Sequence, residues 1–152
     1  MRIAVDDLAG AEIAAFLEDH VRELRSITPP ESKHALDLDG LRRPGVTFWV
    51  VRDDAGVIVG CGAITRLDDR HAELKSMRTA PARQRSGIAS LLLGHIVGEA
   101  RAMGYRRLSL ETGSDEFFRP ARRLYEKFGF EHCAPFAGYG PDPLSVFMTR
   151  LL

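Results

Sequence analysis

Residues Thr79 to Ala89 read TAPARQRSGIA, and the rest of the chain is arranged around this stretch. Pro81 lacks an amide hydrogen, so it ends any strand that precedes it. From Gly87 to Met103 apolar residues recur at three and four positions, at Ile88, Leu91, Leu92, Ile96, Ala100 and Met103, which predicts a helix stopped by Gly104. Between strand end and helix start lie Arg83, Gln84, Arg85, Ser86 and Gly87. The first turn of a helix carries N–H groups without intrahelical partners and a partial positive charge. Gly87 and Ala89 keep bulk away from that backbone, so the segment suits an anion. A plainer reading competes, in which Ser86 is only an N-cap and the arginines are solvated. No Gly-Lys-Ser/Thr follows and the three glycines of a dinucleotide fingerprint are missing, so neither a nucleoside triphosphate nor NAD is indicated.

Upstream, Thr47–Arg52 (TFWVVR) and Val57–Thr65 (VIVGCGAIT) are strand-like runs joined by Asp53, Asp54, Ala55 and Gly56, residues suited to a hairpin turn. A third run, Ala72–Thr79, completes a predicted meander. Before it stand a short strand at Arg2–Val5 and an amphipathic helix at Ala11–Leu24, stopped by Thr28, Pro29 and Pro30. Residues 31–45 read as a helical turn plus loop. Downstream follow a strand at Arg107–Glu111, a helix at Asp115–Phe128 closed by Gly129, and strands at Phe130–Ala134 and Ser145–Leu151. The predicted order is β, α, (α), β, β, β, α, β, α, β, β.

Composition narrows the function classes. Lys plus Arg (21) equal Asp plus Glu (21), so no global field draws the chain to nucleic acid or an anionic membrane. No window approaches the ~18 apolar residues of a membrane span, and Met1–Asp7 carries no apolar leader core, so a cytoplasmic protein is expected. At 152 residues one domain, 1–152, is expected. Cys61 and Cys133 read as buried free thiols. His20, His34, His71, His95 and His132 show no ligand spacing and read as surface or capped residues, with His95 edging the core; no metal is expected.

Gln84, Gly87 and Ala89, preceded by Thr79-Ala80-Pro81, resemble the Gln/Arg-x-x-Gly-x-Gly/Ala motif of the GNAT family of N-acetyltransferases. Ala121 to Phe130 (ARRLYEKFGF) resembles the same family's A-x-x-L-Y-E-K-x-G-F signature, in the family's order and separation. The resemblance spans nearly the whole chain and points to the small bacterial single-domain branch. It implies an α/β fold with a mixed, mainly antiparallel sheet, splayed at the acetyl-CoA site and flanked by helices on both faces. It implies acetyl-CoA as cosubstrate, direct transfer of the acetyl group to a primary amine, and a loop from Arg83 to Ala89 whose amides hold the pyrophosphate. One departure is Phe118, which stands where many relatives place an asparagine near the cofactor.

The resemblance assigns cofactor binding to Met77, Arg78, Thr79, Gln84, Arg85, Ser86, Gly87, Ile88 and Ala89. Strand amides, with Met77 and Thr79 as candidates, would polarise the carbonyl, because a fixed donor costs no reorganisation as the oxyanion develops. Tyr125 is the implied acid: a tyrosine hydroxyl, with its ordinary pKa of about 10, stays protonated at neutral pH and can serve a departing thiolate. From spacing alone, packing with Phe118, Ala121 and Phe128 is the preferred reading, and the flanking Leu124, Gly129 and Phe130 of the signature reverse it. An ammonium must lose a proton before attack. Glu73 on the strand before the loop is the leading acceptor, with Glu111 and water as alternatives, and a solvated strand charge is the competing reading for either glutamate. Arg122 and Arg123 either assist the phosphates or form a solvated helix face. The acceptor, a small-molecule or protein amine, is expected at residues 31–45 and 136–143. An acyl-CoA-binding sensor without turnover is the second functional class, and a homodimer through Ser145–Leu151 is left open.

Overall fold

Seven strands form one sheet in the order β1-β2-β3-β4-β5-β7-β6. The computed structural model describes residues 1–27 and 38–152. The strands are β1 (Arg2–Val5), β2 (Val46–Arg52), β3 (Ile58–Arg66), β4 (His71–Thr79), β5 (Arg107–Gly113), β6 (Glu131–His132) and β7 (Ser145–Leu151), with helices α1 (Ala11–Ile27), α2 (Leu38–Leu41), α3 (Ile88–Ala102) and α4 (Arg119–Lys127). This is the element order expected from the sequence. Of the stretch 31–45, residues 31–37 lie outside the described residues, and Leu38–Leu41 forms the helical turn.

Hairpin chemistry builds the first half. Asp53 accepts the amides of Ala55 (2.9 Å) and Val57 (3.0 Å), and Gly56 supplies the positive φ that closes the β2–β3 turn. All strand pairs are antiparallel except β4–β5. A parallel pair needs a crossover, which α3 provides.

In β2, Phe48 and Val50 alternate with Trp49 and Val51, and all four are buried, so both faces of the sheet are covered. Trp49 and Val51 join Leu74, Leu110, Leu92, Ile96 and Tyr125 beneath α3 and α4. Phe48 and Val50 join Cys61, Ala63, Ile13 and Leu17 beneath α1. The fold is therefore α/β, with a mixed, mainly antiparallel sheet between helices.

Some elements differ from expectation. The buried face of α3 is Ile88, Leu92, Leu93, Ile96, Val97 and Ala100, while Leu91 and Met103 are exposed. The run Leu91-Leu92-Leu93 fits two overlapping faces, and the sheet selects the one carrying Val97. The helix expected over Asp115–Phe128 is broken. Asp115 accepts the Phe117 amide and caps a 3₁₀ turn (Glu116–Phe118), and α4 starts afresh at Arg119 with Pro120 in its first turn, where a missing N–H does no harm. The strand expected at Phe130–Ala134 shrinks to Glu131–His132: Phe130 is taken into the core and the chain turns away after one further ladder bond, from the Cys133 amide to Phe147. Cys61 is a fully buried free thiol, whereas Cys133 is half-buried.

Candidate active site

The central feature is a fork between β4 and β5. Their pairing runs only from His71↔Arg107 to Leu74↔Leu110, so residues 75–79 have no strand neighbour on that edge. On its other edge β4 carries a bulge. Cys61 pairs with Arg78 and Ala63 with Lys75, which leaves Ser76 and Met77 opposite Gly62. Ser76 takes φ +57°, and its carbonyl accepts the Cys61 thiol at 3.2 Å. Met77 lies over Gly62, where an added Cβ would stand 2.6 Å from its sulfur. A glycine opposite the bulge thus makes room for the Met77 side chain.

The fork opens into a cleft of about 160 Å³. Leu74, Lys75, Ser76 and Met77 line it from β4, Glu111, Thr112 and Gly113 from β5, Ala121 and Tyr125 from α4, and His20, Leu24, Phe118 and Leu144 complete the lining. Tyr125 is 6% exposed and meets Phe130 edge-on at 5.8 Å. Both packing and cleft lining are therefore its lot. Burial, and then the charge of Glu111, hold its hydroxyl above the ordinary tyrosine range, so it stays protonated.

The 79–89 segment is a tight, exposed loop. The Ala80 amide donates to Val59 (2.9 Å), Pro81–Arg83 makes one 3₁₀ turn, and the Ser86 hydroxyl donates to the Arg83 carbonyl. Arg85 (φ +62°) and Gly87 (φ +85°) are left-handed, and no side chain caps α3. Ser86 is therefore not the N-cap; Gly87 holds that position. A Cβ on Gly87 would meet nothing within 4 Å, so the first-turn amides face open space. A diphosphate fits this cradle: bare amides, the positive end of α3, and an exposed Arg85 beside it.

Not every residue proposed from sequence points at this site. Ile88 is 2% exposed in the core, so only its amide is available there. The Arg78 side chain, 6% exposed, donates to Glu23 at 3.1 Å and lies over the Phe16 ring. Arg83 is tied to Asp53 at 3.1 Å. Arg122 binds the carbonyls of Gly113 (2.7 Å) and Asp115 (2.9 Å), joining α4 to the end of β5 rather than forming a solvated face. Glu73 is not a solvated charge either. It is 3% exposed, accepts the Tyr139 hydroxyl at 2.5 Å, and has the Lys75 ammonium at 3.4 Å, whereas Glu111 lines the cleft. Among the described residues no cluster of three His, Cys, Asp or Glu side chains could hold a metal ion. No helix among them is long and apolar enough to cross a membrane.

His20 also departs from the surface reading. Its side chain packs beside Arg78 (3.3 Å), and burial, followed by the Arg78 charge, lowers its pKa from 6.5 to about 4. The unfolded chain binds that proton near 6.5 and the folded chain only near 4, so stability is full above the first value and is lost as pH falls towards the second. Denaturant midpoints are expected to fall between pH 7 and pH 4, and His20→Gln to flatten that part of the profile. Phe118 lies on Gly113 so closely that an added Cβ would stand 2.1 Å from its ring. Gly113→Ala is expected to push the ring into the cleft, costing about 2 kcal/mol in chemical denaturation and weakening the binding of any cleft ligand.

Comparison with known proteins gives the family and the fold. The Acetyltransferase (GNAT) family profile matches residues 13–130. The chain is 51% identical over 152 residues to the uncharacterized N-acetyltransferase YsnE of Bacillus subtilis (strain 168), covering 100% of both chains. It is 42% identical over 141 residues to a protein of Azospirillum brasilense described as IAA acetyltransferase, covering 92% of this chain and 90% of that one. An aminoglycoside 6'-N-acetyltransferase complexed with coenzyme A shares the fold, with TM-score 0.69 and 16% identity over 99% of this chain and 97% of that one. Matched by the family profile over residues 13–130 and by a relative over its whole length, the chain belongs to the GNAT family and is an N-acetyltransferase.

Proposed function

We propose that this enzyme moves an acetyl group from acetyl-CoA directly to a primary amine, with both substrates held together at the β4–β5 fork. The observation that carries this reading is the fork itself, whose cleft joins a strand edge without a neighbour to a protonated buried tyrosine, and β4 leads on from that edge to the loop that opens α3. In this reading the amides from Gln84 to Ala89 take the pyrophosphate, and the backbone at Met77, Arg78 and Thr79 lies along the thioester arm. Acetyl-CoA supplies the activated carbonyl. The strand amides polarise that carbonyl without reorganising, because the sheet already fixes them. Tyr125 gives its proton to the departing thiolate. The proton shed by the amine goes, directly or through water, to a carboxylate of the same seam, Glu73 or Glu111.

The test is thiol release from acetyl-CoA with a panel of primary amines, to which the IAA of the relative's description is added. Amine-dependent release that disappears in Tyr125→Phe supports direct transfer. Binding of acetyl-CoA with no release from any acceptor would return the sensor reading.

A further inference from the structure

The segment between β6 and β7 is pinned over the α1 side of the sheet at three places. Tyr139 donates its hydroxyl to Glu73 (2.5 Å) and accepts from the Lys75 ammonium (3.2 Å). Phe136, Tyr139 and Phe147 pack as a trio of rings 5.3–5.9 Å apart. Ser114 holds the far end of the segment, its hydroxyl donating to the Pro143 carbonyl at 2.8 Å and its amide to the Leu144 carbonyl at 3.0 Å. Leu144 and Lys75 then line the cleft. Ala72 and Leu74 face the α3 core, so strand alternation sends Glu73 to the opposite side, beneath Tyr139.

A proton acceptor has to reach the reacting amine at hydrogen-bond distance or through one water. Glu73 is 3% exposed, carries the Tyr139 hydroxyl and the Lys75 ammonium on one oxygen, and is absent from the cleft wall. Glu111 is the first β5 residue beyond the last β4–β5 pair, at the fork, and it lines the cleft.

Building on the acetyl-transfer reading, we propose that Glu73, Tyr139 and Lys75 form a clamp that fixes residues 136–144 as the acceptor-side wall. Tyr139 and Glu73 are positioning residues, and Glu111 takes the amine's proton. In the balanced step the neutral amine forms a bond to the acetyl carbon as the carbon–sulfur bond breaks. The surplus proton on nitrogen goes to Glu111, the thiolate takes the Tyr125 proton, and exchange with solvent resets both groups. The clamp itself needs no chemistry and can be tested without knowing the acceptor.

The experiment uses the full chain and two readouts: hydrogen exchange of the 136–144 amides, and thiol release with tyramine as probe amine at saturating acetyl-CoA. Tyr139→Phe is expected to speed exchange in that segment by about tenfold, as for loss of one hydrogen bond to a charged group. It should raise the KM for tyramine more than it lowers kcat, leaving β3 exchange and acetyl-CoA affinity as in wild type. Glu73→Gln keeps an oxygen for the Tyr139 hydroxyl, so exchange in the segment stays near wild type. Its kcat should fall about three- to fivefold, against the hundredfold or more of a lost proton acceptor, which is the loss expected for Glu111→Gln. Unchanged exchange in Tyr139→Phe overturns the clamp, and a hundredfold loss of kcat in Glu73→Gln with exchange intact overturns the positioning role of Glu73 and the choice of Glu111 as proton acceptor. A wild type that binds no acetyl-CoA would sink the acetyl-transfer reading instead, and exchange would still decide the clamp.

Discussion

Tyr125→Phe is expected to lower kcat for acetyl transfer by about 10²- to 10⁴-fold, the range for a positioned general acid, with acetyl-CoA affinity nearly unchanged. The substitution removes one oxygen and keeps the ring, which is what packs against Phe130 and the core beneath α4. Folding should therefore survive. The hydroxyl that is lost lines the cleft and is kept protonated by burial and by Glu111. Steady-state thiol release gives the rate, and calorimetry with the same preparation gives the affinity. If Tyr125 served only to pack, its phenylalanine variant would turn over at the wild-type rate.

The second large effect is expected at Gly87, where space and charge can be separated. Its φ of +85° is tolerated by asparagine and aspartate better than by other residues, and a Cβ there meets nothing within 4 Å. Gly87→Asn adds bulk to the open cradle, and Gly87→Asp adds the same bulk with a negative charge. If the α3 amides hold a diphosphate, the aspartate variant should bind acetyl-CoA about 10- to 100-fold more weakly than the asparagine variant at low salt, with the gap narrowing as salt screens it. Calorimetric titration of the two variants at two ionic strengths measures this. Equal affinities would mean that no anion sits at this helix end.

Much of the site was legible because local chemistry fixes it. Pro81 ends a strand, Gly87 opens a helix, and Ile88 to Ala100 repeats at helical spacing, so the loop and its neighbours follow from sequence order alone. Tyr125 was legible only in part: its spacing suits packing, and it is the surrounding signature that marks it as more. The bulge at Ser76–Met77 leaves a faint trace, Gly60 and Gly62 within an otherwise apolar strand, which becomes meaningful once Met77 is seen to need that space. The Glu73 environment was hidden. Tyr139 lies 66 residues away in an irregular segment, and no periodicity links it to β4. His20 was hidden for a similar reason, since Arg78, its buried neighbour, arrives from a different element. Long-range polar pairs across a sheet leave no mark in either sequence segment, whereas caps, turns and amphipathic faces do.

The most direct test of the account is calorimetric titration of the full chain with acetyl-CoA. One site per chain is predicted, with affinity that weakens as salt rises and that falls further in Gly87→Asp than in Gly87→Asn. A titration showing no binding, or binding indifferent to both Gly87 variants, would contradict the placement of acetyl-CoA at the fork and the α3 turn.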